Sequence, residues 1–122
     1  MENKAKDVAL NPGEIYVGVV LKDGRPDQAH HLILLPGDAD EITWDKARAW
    51  ATEQGGELPT REEALLLFRT QREQFKDDDY WTSEAYAGDD AYAWIQYVYD
   101  GCQGYWHKAS ELRARAVRRE AV

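Results

Sequence analysis

A chain of 122 residues supplies one domain's worth of core, and 43% apolar with 31% charged residues excludes wholesale disorder. Asp and Glu outnumber Lys and Arg by 23 to 15, and the resulting net charge of −8 argues against direct binding to nucleic acid or an anionic membrane surface. One cysteine, Cys102, excludes an internal disulfide and any cysteine-cluster zinc site, and points to a reducing compartment.

Residues 1–12 contain no apolar run of the kind a secretory signal needs and read as a flexible, solvated arm before a single domain over 13–122. The apolar stretches 15–21 and 32–35 are far too short to span a bilayer. β-Branched and aromatic residues predict strands at 14–22 and 29–35, and the Asp-Gly and Pro between them are turn chemistry, so the two form a hairpin. Thr43 stands where an N-cap belongs, and Trp44, Ala47, Trp50 and Ala51 trace one stripe of a helix over 44–54. Gly55-Gly56 ends it through a left-handed cap.

Thr60 and Glu63 have capping-box spacing and open a second helix over 61–75. Its buried face runs through Ala64, Leu67, Phe68, Gln71 and Phe75. Beyond Lys76 the pattern changes to period two, with strands expected at 80–84, 92–99 and 112–118. With no alternating βα rhythm, the fold class is α+β: two helices packed on a small antiparallel sheet. Leu58, Leu67, Phe68, Trp81 and Trp94 are the expected core.

Nine of the fourteen aromatic residues fall between Tyr80 and Trp106, and from Asp77 to His107 there are seven acids and no Lys or Arg. Tyr and Trp supply contact area at low entropic cost, which favours them at recognition surfaces. The candidate binding residues lie in loops at 84–92 and 99–108: Glu84, Tyr86, Asp89, Asp90, Tyr92, Asp100, Gln103, Tyr105, Trp106 and His107. Asp77 to Asp79 read as a solvated connection, since they lack the spaced oxygen ligands and glycine of a calcium loop. Arg113, Arg115, Arg118 and Arg119 are expected to pair with acids within the fold.

Catalytic readings fare poorly. Asp100 beside Cys102 disfavours a thiolate, which weakens a Cys102–His107 nucleophile. His30 and His31 are adjacent on a strand and point to opposite faces, so they cannot chelate one metal; one is expected packed and the other exposed. No glycine-rich loop cradles a phosphate. The sequence therefore predicts a protein that is not an enzyme and has no cofactor or metal.

The strings GGELPTREEALLLF, YWTSE, AYAWIQYVYDG and RARAVRR resemble the Lcl C-terminal domain family, named after a collagen-like bacterial adhesin and common in phage and prophage genes. The resemblance covers residues 42–119, with the Trp-Ala helix at 44–56, the GG-x-LPTR-E motif at 55–62, the YW strand at 80–83, the AW strand at 93–101 and the closing RAVR at 115–118. It implies a C-type-lectin-like fold with a long loop region, and a binding module without catalytic residues. The chain lacks the EPN, QPD and WND motifs and the paired cysteines of sugar-binding members of that fold, so calcium-mediated sugar recognition is not expected. A single cysteine also excludes formylglycine-generating chemistry.

The expected function is recognition of a protein or receptor bearing a basic patch. One alternative is an intracellular phage accessory protein that blocks a host defence machine, as an anti-CRISPR protein does. Calcium-independent carbohydrate binding is a second. The expected location is the cytoplasm of a bacterial host or, alternatively, the virion.

Overall fold

A computed structural model describes residues 8–122. The first hairpin pairs β1 (Ile15–Lys22) with β2 (Arg25–Leu34). Its turn is two residues long, and both Asp23 (φ 52°) and Gly24 (φ 71°) are left-handed, as the twist of a two-residue hairpin requires. This tight turn extends β2 back to Arg25, earlier than the sequence suggests. Pro26 fits there because β8 (Val117–Ala121), on the other side of β2, reaches only as far as His30. The resulting three-stranded sheet has the order β1-β2-β8, all antiparallel.

Between β2 and β8 lie the two helices and a five-stranded sheet. Helix α1 (Trp44–Glu53) buries Trp44, Ala47 and Ala51. Thr43 occupies the cap position, although its hydroxyl makes no cap bond. The helix ends as expected: Gly55 is left-handed (φ 89°), and the Gly56 and Gly55 N–H groups donate to the Ala51 and Thr52 carbonyls, both at 3.0 Å. Helix α2 (Arg61–Gln71) opens with the complete Thr60–Glu63 capping box and runs into a 3-10 turn at Arg72–Gln74.

The second sheet has the order β3-β7-β4-β5-β6, comprising β3 (Ala39–Ile42), β7 (Leu112–Ala114), β4 (Asp79–Ala85), β5 (Tyr92–Tyr97) and β6 (Gln103–His107). All its pairs are antiparallel except β4 with β7, which run parallel at Tyr80 and Arg113. One apolar cluster, including Trp44, Ala47, Leu58, Trp81 and Ile95, joins α1 to this sheet. A second, formed by Val20, Leu32, Leu34, Leu67 and Val117, joins α2 to the three-stranded sheet. The indoles of Trp44 and Trp81 donate to the carbonyls of Thr82 and Ile42 at 2.8 Å, so neither buried N–H is left unpaired.

The α+β class and both helices agree with the sequence, but several expectations need correction. The single antiparallel sheet is two sheets with one parallel pair. The strand expected at 112–118 is two strands, because the chain leaves one sheet at Ala114 and joins the other at Val117. The expected loop at 99–108 contains β6, so the long loop region is largely replaced by an edge strand. Trp94 and Phe68 are only half-buried, unlike Leu58, Leu67 and Trp81. Residues 1–7 of the expected arm lie outside the described residues. In the described part of that arm, Val8 is buried and Arg118 donates to the Ala9 carbonyl, while residues 9–12 are exposed. Among the described residues, no helix is long and apolar enough to cross a membrane.

Candidate functional site

Successive residues of a strand face opposite sides of a sheet, and the β5–β6 register sorts the candidate residues accordingly. Tyr92 lies opposite His107, Trp94 opposite Tyr105 and Gln96 opposite Gln103. These six residues share the face toward α2. Ala93, Ile95 and Trp106 occupy the other face.

On the first face the aromatic rings form one array. The turn after β4 is closed by the Tyr86 N–H donating to the Tyr92 carbonyl (2.9 Å), which folds Tyr86 back over the strand pair. The Tyr86 ring stacks on Tyr105 with centroids 3.9 Å apart and planes 11° from parallel. Trp94 meets both rings edge-on at 5.5 and 5.4 Å, and Tyr92 meets Tyr105 and His107 at 6.0 and 5.4 Å. Tyr105 remains 47% exposed, so the array opens to solvent.

Arg61, the first residue of α2, closes the inner end of the array. Its guanidinium lies 3.5 Å from the centre of the Trp94 ring. Its Nε donates to Gln103 Oε1 (3.1 Å), and the Gln103 amide donates back to the Arg61 carbonyl (2.8 Å) and to Gln96 Oε1 (2.9 Å). Glu84 accepts the Arg61 backbone N–H at 2.7 Å, placing a carboxylate at the positive end of α2. Arg61 belongs to the site but is not among the residues expected from sequence. Its place at the start of a capped helix was the available signal.

The expected set is not a single surface. Glu84, Tyr86, Tyr92, Gln103, Tyr105 and His107 come together. Trp106 faces the opposite side, where its indole N–H donates to the Tyr97 hydroxyl at 2.9 Å. Asp89 and Asp100 each hold a turn, accepting the N–H groups of Ala91 and Cys102 at 2.9 Å. Asp90 is exposed in the turn beside Asp89. The two turns stand at opposite ends of β6, because Lys108 donates to the Ala91 carbonyl and Tyr97 donates to that of Cys102. Nearby, burial and then the charges of Asp78 and Asp100 raise the pKa of Asp79, which marks crowded negative charge.

Three of the four C-terminal arginines pair with acids, as expected. Arg113 holds Asp38, Asp40 and Asp78; Arg118 holds Glu14; and Arg119 holds Glu57 and Glu63. Arg115 does not. It is buried, donates to the carbonyls of Gln74 and Leu35, and leaves Nε without a partner among the described residues. One histidine is packed, as expected: His31 is buried and meets the Tyr16 hydroxyl at 2.8 Å; the other, His30, is half-buried rather than exposed, because it meets Glu63 at 2.7 Å. Cys102 is an exposed free thiol. Among the described residues, no three His, Cys, Asp or Glu side chains gather as a metal site. Neither a protein-family model nor a curated protein matches this chain.

Proposed function

We propose that this protein is a non-enzymatic binding module of the C-type-lectin-like kind, of phage or prophage origin, that recognises a basic protein partner through the aromatic end of its five-stranded sheet. The observation that carries this reading is the solvent-open array of Tyr86, Tyr92, Trp94 and Tyr105, flanked by Glu84, Asp89 and Asp90. Pre-stacked rings lose little entropy on binding, and surrounding acids speed encounter with a cation-bearing surface. Pairing of the first hairpin with the last strand around two helices supports the fold assignment. The setting is the cytoplasm of a bacterial host or, alternatively, the virion.

The test is capture of a partner from host lysate, followed by binding kinetics at low and high salt. Asp89→Lys with Asp90→Lys should slow association and flatten its salt dependence. Tyr105→Ala should mainly speed dissociation. If both variants fold, by circular dichroism, and bind as the unmodified protein does, the reading fails.

A second reading, blockade of a host defence machine, draws support from the crowded acids around Asp79 and Asp100, which can take the place of nucleic-acid phosphates. Competition separates the two: a blocker is displaced from its target by nucleic acid, whereas a receptor-binding module is not.

A further inference from the structure

Among the described residues, four strand edges bound the two sheets, and three are blunted. The β1–β2 register breaks between Tyr16 and Gly18 and again between Val20 and Lys22. Strand β3 is four residues long and broken, with Glu41 in a left-handed conformation (φ 47°). In β8, Val117 is already bridged to Glu57, and Arg118, Arg119 and Glu120 follow. Breaks, short length and charge are the devices by which proteins prevent strands from adding to an open edge.

Strand β6 uses none of them. Its sequence, QGYWH, contains no Lys, Pro or acid, and its pairing with β5 runs without a break from Gln103 to His107. The bonds Lys108 N–H to Ala91 and Tyr97 N–H to Cys102 fix the alternation: the even-numbered residues of β6 point their backbone groups at β5, and the odd-numbered ones point outward. The N–H and C=O groups of Gln103 and Tyr105 and the N–H of His107 therefore point away from β5 and have no backbone partner among the described residues. The His107 carbonyl is occupied by the Ser110 N–H. Tyr105 and Trp106 rise on opposite faces of this edge, 47% and 42% exposed. Asp89 and Asp90 stand at one end and Asp100 at the other, separated by roughly 17 Å of strand.

We propose that β6 is a docking edge at which an extended segment of a partner protein, with Lys or Arg at each end of an uncharged stretch of about five residues, pairs as an added strand. The charge arrangement selects this occupant over a second copy of the chain. Lys108, which follows β6 at the Asp89 end, is drawn over the Trp44 ring at 4.5 Å, so two β6 strands paired in either direction would bring Asp against Asp at both ends, whereas a lysine-ended segment meets a carboxylate at each. The central side chains of the guest pack alternately beside Tyr105 and Trp106. This proposal deepens the binding-module reading and rests on it.

The test uses synthetic peptides of alternating valine and threonine, one with a lysine at each end, one with a glutamate at each end, and a lysine-ended peptide methylated on alternate backbone nitrogens. Each is titrated into the full chain while amide exchange is followed by NMR. The lysine-ended peptide should slow exchange at Tyr105 and His107 on the order of tenfold, and high salt should weaken it. The glutamate-ended and methylated peptides should leave exchange unchanged. Tyr105→Pro removes one outward N–H and no inward bond, so it should stay folded and lose the peptide; Tyr105→Thr keeps the N–H and should retain it.

Equal protection by lysine- and glutamate-ended peptides, or protection by self-association without peptide, overturns the proposed occupant. No protection at millimolar lysine-ended peptide overturns strand addition altogether. If Tyr105→Thr then still abolishes capture of the natural partner, the aromatic face remains the binding site and only the strand mechanism has failed. If Tyr105→Thr and the Asp89→Lys, Asp90→Lys protein both leave capture intact as well, both readings fall.

Discussion

Arg119, on the last strand, grips both carboxylate oxygens of Glu63, the third residue of α2, at 2.7 and 2.8 Å. Glu63 is fully buried, closes the capping box with Thr60 and lies 2.7 Å from His30 Nε2. One carboxylate thus ties α2, β2 and β8 together. Truncating it removes the buried partner of the half-buried Arg119, leaving only the exposed Glu57, and also removes the helix cap, so Glu63→Ala should lower stability by about 2–3 kcal/mol. Urea denaturation measures this, and Glu63→Gln, which keeps the shape and one acceptor oxygen, should lose less.

Acid should act through the same kind of contact. The hydrogen bond from Arg118, chiefly, holds Glu14 at a pKa of about 2, against an ordinary 4.5. Burial would raise Glu63, but Arg119 and the Thr60 N–H outweigh it and hold its carboxyl low. A carboxyl depressed in the folded state contributes stability above its unfolded pKa and loses it as pH falls toward the folded value. Melting temperature should therefore be steady above about pH 5 and fall between about pH 4.5 and pH 2. Arg118→Gln should weaken that pH dependence in thermal melts across the same range.

Alkaline behaviour should follow Tyr80. Burial, then its 2.6 Å hydrogen bond to Asp38, pushes the phenol well above its ordinary range. A raised folded pKa means that its contribution is complete below the unfolded value near 10 and is lost as pH rises beyond it. Tyr80→Phe should be less stable at neutral pH by about 1 kcal/mol and should lose less stability between pH 9 and 11. Paired thermal melts at the two pH values test both signs.

The helices are the most legible parts of the sequence because their signals are local. Ala and Trp at helical spacing, Thr60 with Glu63, and Gly55-Gly56 each act within a few residues. Strand β3 has the opposite character: Ala-Asp-Glu-Ile has little intrinsic strand preference, and it pairs only because β7 arrives beside it. In β6, two glycines and a cysteine nearby read as a turn and conceal the strand. The division of 112–118 between two sheets depends on partners distant in the chain. At the candidate site the aromatic residues were visible from composition, but their sorting between two faces depended on a register set by β6. Arg61 is not legible as a site residue because its partners, Trp94 and Gln103, come from other elements.

Two tryptophans separate burial from recognition. Trp81 is fully buried, so Trp81→Ala should cost about 3–5 kcal/mol. Trp94 is half-buried under Arg61, and its truncation should cost less while loosening the Tyr86–Tyr105 stack. Denaturation gives the first comparison, and near-ultraviolet circular dichroism reports the second.

Gly56 should tolerate no side chain. A β-carbon there would lie 2.1 Å from the Val117 carbonyl oxygen, which accepts the Glu57 N–H at 2.9 Å. Gly56→Ala should force this bridge apart and cost about 1–3 kcal/mol. Gly55→Ala strains only a left-handed backbone and should cost about 1–2 kcal/mol. Equilibrium unfolding of the pair distinguishes close approach from torsional strain.

The bond from Arg115 to the Leu35 carbonyl joins residues 80 positions apart, beside the strand that seals β2. On a ribosome, β1 and β2 emerge early and form their hairpin, yet β2 keeps one side unpaired until residues 117–121 are available. Helix α2 meanwhile carries Glu63 with no cation from β8 to meet it. Closure of this sheet therefore waits on residues 117–121, and a pause in translation before they emerge would prolong exposure of Leu32, Ile33 and Leu34, all fully buried once β8 is in place.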